Sequence, residues 1–230
     1  MKITNWRYDV AMVVRRSIVV ERIACQNVVL DLDGTLWDPM ELSMEAWRQA
    51  CLEHGVDPKL LVRERFARAF GHPASVVGEI VLPAVSKSLQ TKVLDTANEL
   101  EVQLIGTSLG VLFDGVKTTL EHLARSRRLF LCSNCQSGYI EAFLLTYGLE
   151  KMFVDSICSG DTSQGKGINL GMLIARNSIV DAVMVGDMHS DYDAARLNNL
   201  PFIYASYGFG DLREFDAKID RIDGLLHVLA

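Results

Sequence analysis

The sequence predicts an α/β protein with a doubly wound parallel sheet, into which a small helical domain is inserted. Short apolar runs alternate with longer segments of helical period, a pattern typical of parallel sheets. The apolar runs are continuous rather than alternating, as expected for strands that are covered on both faces. A third observation is the stretch from Glu41 to Leu104, which contains no convincing strand and is rich in Ala, Leu, Glu, Arg and Gln. We therefore expect one sheet-containing core and one helical insertion.

Five apolar runs are predicted to be strands of the core. They are Val28–Leu30, Arg128–Cys132, Phe153–Cys158, Ala182–Val185 and Phe202–Tyr204. Helices are expected between them, at about 116–125, 137–147, 168–177 and 190–198. Strands that alternate with helices are joined by crossover connections, so the neighbouring strands are expected to run parallel.

The helical insertion is predicted to consist of several helices rather than one. Phe70-Gly71-His72-Pro73 interrupts it, and Pro83 is a second break, because proline lacks an amide proton and glycine favours turns. We expect a core domain of residues 1–36 and 107–230 and a helical domain of residues 37–106. Residues 1–25 form an N-terminal extension, in which Ile18-Val19-Val20 could be an edge strand and Arg15-Arg16 a solvated turn.

Composition narrows the class of protein. The chain has 230 residues, of which 49% are hydrophobic and 23% charged, which is ordinary for a globular protein. A net charge of −6 argues against nucleic-acid binding, which needs a basic surface. The apolar stretch Val10–Val14 is too short to cross a membrane, and five scattered cysteines suggest no disulfide framework. We expect a cytoplasmic monomer or homodimer that binds neither nucleic acid nor membranes.

Polar side chains follow four of the predicted strands. Because the carboxyl ends of parallel strands meet at one edge of a sheet, where ligands bind, we expect these side chains to lie close together. In chain order they are Asp31-Leu32-Asp33-Gly34-Thr35, Ser133-Asn134, Lys166, and Gly186-Asp187 followed by Asp191.

The acidic residues of this set favour a bound cation. In an extended chain the two-residue step from Asp31 to Asp33 points both side chains the same way, and crowded carboxylates favour a shared proton or a cation. Asp187 adds a third acid, and such hard oxygen ligands suit Mg²⁺. Gly34 permits a sharp turn that brings backbone N–H groups toward an anion. Asp191 either orients the waters of the metal or caps the next helix.

These residues also carry a resemblance to a known family. Asp31-Leu32-Asp33-Gly34-Thr35-Leu36, Ser133-Asn134, Lys166 and Gly186-Asp187-Met188-His189-Ser190-Asp191 resemble, in the same order, the four motifs of the haloacid dehalogenase superfamily. The helical insertion resembles the helical cap of that superfamily, whose core is Rossmann-like. The resemblance covers roughly residues 27 to 210 and is closest to phosphoglycolate-phosphatase-like members.

The resemblance implies a role for each position. Asp31 would attack phosphorus and form an aspartyl-phosphate, and Asp33 would protonate the leaving oxygen and later deprotonate the hydrolytic water. Mg²⁺ would be held by the carboxylates of Asp31 and Asp187 and by the backbone carbonyl of Asp33. The phosphoryl oxygens would be held by Ser133, the Asn134 backbone and Lys166.

Asp33 narrows the chemistry that the resemblance implies. Members that cleave carbon–halogen or carbon–phosphorus bonds usually lack an acid at this position, whereas a leaving alkoxide needs a proton. We therefore expect hydrolysis of a small phosphorylated metabolite, such as phosphoglycolate or a sugar phosphate. Two alternatives stay open: a phosphotransferase of the β-phosphoglucomutase type, and a binding or regulatory protein that keeps the fold without turnover.

Three features outside the motifs have two interpretations each. The loop at Phe70-Gly71-His72-Pro73 resembles the cap loop that selects substrates, so His72 is predicted to contact substrate; alternatively the loop merely joins two helices. Cys132 and Cys135 form a Cys-x-x-Cys pair, which suggests a redox or zinc site, but without a second pair at zinc-site spacing we interpret it as coincidence. The insertion also carries three arginines, interpreted as a solvated helix face or as a contact to a carboxylate or second phosphate of the substrate: Arg63, Arg65 and Arg68.

Overall fold

The computed structural model describes residues 22–107 and 109–230, without the side chains of residues 74 and 75. The edge strand predicted at 18–20 and the turn predicted at 15–16 lie outside the described residues. The strands are β1 (Asn27–Leu30), β2 (Trp37–Asp38), β3 (Val111–Leu112), β4 (Arg128–Ser133), β5 (Phe153–Cys158), β6 (Ala182–Gly186), β7 (Phe202–Ala205) and β8 (Ala217–Ile219).

Helices occupy most of the remaining described chain. They are α1 (Met40–Glu53), α2 (Arg63–Ala69), α3 (Ala74–Val81), α4 (Lys87–Leu104), α5 (Val116–Leu123), α6 (Tyr139–Tyr147), α7 (Ser159–Thr162), α8 (Lys166–Arg176), α9 (His189–Leu197) and α10 (Leu225–Val228). Short 3₁₀ helices lie at Pro58–Leu60, Glu150–Met152 and Ile222–Gly224. None of the described helices combines the length and the apolar character needed to cross a membrane.

Six strands form one parallel sheet in the order β5-β4-β1-β6-β7-β8. The chain moves outward from β1 to β4 and β5, then crosses to the other side of β1 for the remaining strands. Leu30, the last residue of β1, lies opposite Leu131 of β4 and Val185 of β6. The residues that follow these central strands therefore begin at the same edge of the sheet, at a point where the strand order reverses.

Both faces of the sheet are buried, which confirms the predicted α/β fold. Val28 and Leu30 belong to the hydrophobic cluster on one face, and Val29 belongs to the cluster on the other. This alternation follows from the period of two along a strand. Every residue of β1 and β6 is buried, as expected from their continuous apolar runs.

The helices α1 to α4 pack around a hydrophobic cluster of their own. Trp47 on α1 meets Phe66 on α2 edge to face, with ring centroids 5.7 Å apart, and Val93 and Ala97 of α4 are fully buried in the same cluster. The predicted break at 70–73 separates α2 from α3. The domain limits at 37 and 106 stay a prediction.

Some elements were not predicted from the sequence. The antiparallel pair β2 and β3 joins the segments that enter and leave the helical insertion, and β8 extends the sheet at the edge beside β7. Strands of two or three residues are too short to show a pattern of alternation. Helix α8 begins at Lys166 rather than at 168, so Lys166 lies on the first turn of a helix.

Candidate active site

The predicted site residues converge at the carboxyl edge of the sheet. Asp31 follows β1, Ser133 ends β4 and Asp187 follows β6. The backbone N–H of Asp31 donates to the carbonyl of Val185 at 2.9 Å, so the end of β1 is held against β6. Lys166 reaches the same place from the start of α8, and the structure therefore brings all four side chains together.

Lys166 is the positive centre of this group. Its Nζ donates to Asp31 Oδ1 at 2.6 Å and to Asp191 Oδ1 at 2.5 Å. All three side chains are buried. Burial lowers the pKa of Lys166, but the charges of Asp191 and Asp31 outweigh burial and raise that pKa above its ordinary value. The amine is therefore a cation that partly neutralises the acids around it.

Three buried acids form a candidate metal site. One carboxylate oxygen from each of Asp31, Asp187 and Asp191 lies within 4.8 Å of the others. Burial and the charge of Asp191 raise the pKa of Asp31 well above its ordinary value and that of Asp187 to about 7. A divalent cation would relieve this repulsion, and oxygen ligands of this kind suit Mg²⁺. The residues present therefore fit the predicted metal.

Asp187 is held from both sides. Thr35 Oγ1 donates to its Oδ1 at 3.3 Å, and the backbone N–H of Phe209 donates to its Oδ2 at 2.7 Å. Gly34 passes close by with φ +82°, and a Cβ at this position would lie 2.3 Å from Asp187 Oδ2. The glycine is thus required both for its backbone conformation and for the space it leaves.

Asp191 has two functions in the structure. Its Oδ2 accepts from the backbone N–H groups of Asp187 at 3.1 Å and Met188 at 2.9 Å, at the start of α9. Its Oδ1 pairs with Lys166, a contact that the sequence did not predict. The carboxylate therefore caps the helix and also orients the lysine that contacts Asp31.

The carboxylate of Asp33 lies outside the cluster of three acids. Its Oδ1 accepts hydrogen bonds from Trp37 Nε1 at 2.8 Å and from the Tyr139 hydroxyl at 3.1 Å. Burial raises the pKa of Asp33 to about 6, although the two hydrogen bonds act against it. A carboxyl group with this pKa can give and take a proton near neutral pH. Trp37 and Tyr139 were missed in the sequence, since β2 and α6 carry no signal that links them to Asp33.

Ser133 and Asn134 have different environments. Ser133 is buried, and its Oγ accepts from the backbone N–H of Cys135 at 3.3 Å. The side chain of Asn134 donates to the carbonyl of Gly71 at 2.8 Å and accepts from Ser159 Oγ at 2.8 Å. The Asn134 side chain therefore connects the core to the loop between α2 and α3. The contact of its backbone with a phosphoryl oxygen stays a prediction.

A cavity of about 470 Å³ lies between the strand ends and the helical insertion. Asp31, Asp33, Ser133 and Lys166 line it from the core. His72 lines it from the loop between α2 and α3 and is exposed, so its predicted contact with substrate stays a prediction.

Phe70, in the same loop as His72, holds the insertion against the core. Its ring stacks on that of Phe209, with centroids 4.6 Å apart. Phe209 is also the residue whose N–H binds Asp187. The loop is thus anchored directly beside the candidate metal site.

Of the three arginines of the insertion, Arg63 and Arg68 are exposed and Arg65 is half-buried. Arg63 pairs with Glu41, Arg65 donates to the carbonyl of Leu60 at 3.3 Å, and Arg68 donates to the carbonyl of Glu64 at 3.2 Å. None of them lines the cavity. The exposed Arg63 and Arg68 therefore agree with the predicted solvated helix face.

Glu101 was missed in the sequence analysis. It lies on α4, lines the cavity and is only 9% exposed. Gln136 Nε2 donates to its Oε2 at 2.9 Å, and burial raises its pKa to about 7. In the sequence it is one of two glutamates on helix α4, beside the exposed Glu99, and no local pattern distinguishes the two.

The candidate site lies within the part of the chain that is similar to known proteins. The family model for haloacid dehalogenase-like hydrolases matches residues 28–205, which include every predicted site residue. A phosphoglycolate phosphatase of Mesorhizobium japonicum is 26% identical over an alignment of 219 positions, and the alignment covers 88% of this chain and 94% of that relative.

Solved structures share the fold at lower identity. A predicted phosphoglycolate phosphatase from Haemophilus somnus has a TM-score of 0.78 at 16% identity, covering 89% of this chain and 97% of that one. CbbY from Rhodobacter sphaeroides, solved in complex with phosphate, has a TM-score of 0.74 at 19% identity, covering 87% and 96%. The arrangement of sheet and inserted helices is therefore found in other proteins.

Proposed function

This chain belongs to the haloacid dehalogenase-like hydrolase family, and we propose that it is a Mg²⁺-dependent phosphatase of small phosphate monoesters. The observation that carries the proposal is the different surroundings of the two motif aspartates. Asp31 pairs with Lys166 beside two further acids, whereas Asp33 is held apart by Trp37 and Tyr139. Such a difference suits a nucleophile and a proton carrier. The name of the Mesorhizobium japonicum relative supports the same reaction class.

In the proposed reaction Asp31 forms a covalent intermediate. Its carboxylate attacks phosphorus, an aspartyl-phosphate forms, and the ester oxygen leaves. Asp33 gives its proton to that leaving oxygen and is then a carboxylate. In the second step this carboxylate takes a proton from the water that attacks phosphorus, which restores both aspartates and releases phosphate.

Mg²⁺ would be held by the carboxylates of Asp31 and Asp187 and by the backbone carbonyl of Asp33. When bound, it would supply positive charge that stabilises the phosphoryl oxygens in the transition state. Lys166, Ser133 and the Asn134 backbone would donate hydrogen bonds to the same oxygens. Asp191 would keep the Lys166 ammonium in place for this contact.

The proposal also includes the substrate class, the partners and the location of the protein. We expect a small phosphorylated metabolite as substrate, no nucleic-acid or membrane partner, and a monomer or homodimer. A cytoplasmic location is supported by the five cysteines, all of which are free thiols.

A screen of small phosphorylated metabolites with Mg²⁺ tests the proposal, with inorganic phosphate as the readout. The Asp31→Asn variant, which keeps the size of the side chain, is the blank. Hydrolysis of at least one ester well above this blank is the expected result. If every ester stays at the level of the blank, the chain is not a phosphatase. Interconversion of two sugar phosphates without phosphate release would instead support the phosphotransferase.

A further inference from the structure

The cavity contains few positive charges that could bind a second anionic group. Among the described residues that line it, there is no arginine and only one lysine, Lys166. That lysine is already paired with two buried carboxylates. From the helical insertion the ionisable groups are His72, which is exposed, and Glu101. An anion beyond the phosphoryl group would therefore find little compensation here.

Glu101 has a fixed position relative to the phosphoryl site. Gln136 Nε2 donates both to Glu101 Oε2 at 2.9 Å and to the carbonyl of Asn98 at 3.2 Å. Gln136 follows closely after Ser133 and Asn134 at the end of β4. Helix α4 and the phosphoryl-binding strand end are thus joined through the side chain that holds the carboxylate.

Glu101 shares the cavity with Asp33 and its partner Tyr139. All three residues line it, and the Tyr139 hydroxyl donates to Asp33 Oδ1 at 3.1 Å. Glu101 therefore faces the same cavity as the aspartate that would protonate the leaving oxygen. The neighbouring cavity wall on the insertion is largely apolar: Trp47, Phe66, Val77 and Leu94.

We propose that Glu101 selects phosphate esters whose leaving group carries a hydrogen-bond donor and no negative charge. The proposal rests on the phosphatase function proposed above. A hydroxyl or an ammonium group on the leaving group would donate to the carboxylate, and the carbon atoms would pack on the apolar wall. A carboxylate, as in phosphoglycolate, would face Glu101 with no arginine beside it. Hydrogen bonds to charged groups and repulsion between close like charges are large enough to decide between such esters.

Three esters with two-carbon leaving groups separate these chemistries: 2-hydroxyethyl phosphate, phosphoethanolamine and 2-phosphoglycolate. We would measure kcat/KM for each at pH 8 with Mg²⁺, together with inhibition of p-nitrophenyl phosphate hydrolysis by each. The wild-type protein should prefer the hydroxyl or the ammonium ester to phosphoglycolate by about tenfold or more. Preference for ammonium over hydroxyl would show that charge, rather than hydrogen bonding alone, governs selection.

Two variants assign the preference to the side chain. In Glu101→Gln the ratio of kcat/KM for the hydroxyl or ammonium ester to kcat/KM for phosphoglycolate should fall several-fold. The main cause should be a rise in kcat/KM for phosphoglycolate. Glu99→Gln, which removes an exposed charge from the same helix, should keep the wild-type ratio. Glu101→Ala serves as a second variant if the glutamine variant fails to fold by circular dichroism.

The outcomes separate this proposal from the phosphatase function. If the wild-type protein hydrolyses phosphoglycolate as efficiently as the other two esters, or binds it as tightly, the proposed selection by Glu101 is wrong while the phosphatase function stands. If both Glu101 variants keep the wild-type ratio, Glu101 is not the selecting residue. If p-nitrophenyl phosphate and all three esters stay at the level of Asp31→Asn, both proposals fail.

Discussion

The Nζ atom of Lys166 lies 2.6 Å from Asp31 Oδ1, although 135 positions separate the two residues in sequence. The same ammonium lies 2.5 Å from Asp191, and both pairs are buried. One cation therefore compensates the acids that crowd the end of β1. We expect the stability of the folded protein to depend on this compensation.

Replacement of the cation should destabilise the protein. In Lys166→Met the carboxylates of Asp31 and Asp191 stay buried without a counter-charge, which costs about 3–5 kcal/mol for a broken buried pair. Urea unfolding in EDTA at pH 8 measures the loss. Lys117→Met, at an exposed position on α5, should change stability by less than about 0.5 kcal/mol. Equal stability of the two variants would mean that the buried pair is not required.

Removal of one acid should abolish stabilisation by Mg²⁺. At a metal concentration of about 100 times Kd, binding stabilises the folded state by about 2.7 kcal/mol, which raises Tm by about 5–10 °C. Asp187→Asn should lose most of this shift, because Asp187 is one of the three clustered carboxylates. The control is Asp193→Asn, an exposed position on α9, which should keep the shift. A full shift in Asp187→Asn would place the metal elsewhere.

Two glycines with positive φ allow the cost of backbone strain to be measured separately from the cost of a close contact. Gly55 has φ +68° with nothing within 4 Å of an added Cβ, whereas a Cβ on Gly34, with φ +82°, would lie 2.3 Å from Asp187 Oδ2. Gly55→Ala should therefore cost only the strain, about 1–2 kcal/mol. Gly34→Ala should cost clearly more and should also reduce the Mg²⁺-dependent shift in Tm. Equal unfolding free energies and equal Mg²⁺ shifts for the two variants would contradict the packing of Gly34 on Asp187.

Glu101 should make stability depend on pH. Its pKa is raised from 4.5 to about 7 in the folded protein, so folding favours the protonated form. Its contribution to stability is complete below about pH 4.5 and is lost as the pH rises through about 7. Between pH 5 and pH 8 the wild-type protein should lose on the order of 2 kcal/mol relative to Glu101→Gln.

Urea unfolding of both proteins at the two pH values, in EDTA, measures this difference. Other titrating groups are common to both proteins and cancel in the comparison. Glu99→Gln should follow the wild-type curve. Parallel pH profiles for wild type and Glu101→Gln would mean that the burial of Glu101 does not perturb its pKa.

Much of the fold could be predicted because its main strands and helix ends follow from local patterns of residues. The apolar runs at 28–30 and 182–185 are continuous, so they indicated strands covered on both faces, and both are fully buried. The loop at 70–73 contains glycine and proline, which interrupted the helical pattern where α2 ends. By contrast, β2, β3 and β8 have only two or three residues each. They are strands because they pair with a neighbouring strand, β2 with β3 and β8 with β7.

The candidate site likewise contains residues that could be predicted from the sequence and contacts that could not. The sequence by itself determined that acids and hydroxyls follow β1, β4 and β6, since a strand end is visible locally and parallel strands share one carboxyl edge. Only the tertiary structure decided that Lys166 pairs with Asp191, that Trp37 and Tyr139 bind Asp33, and that Glu101 lines the cavity. These contacts join elements through side-chain packing in three dimensions. The period of a strand or helix holds no information about which distant residue meets it.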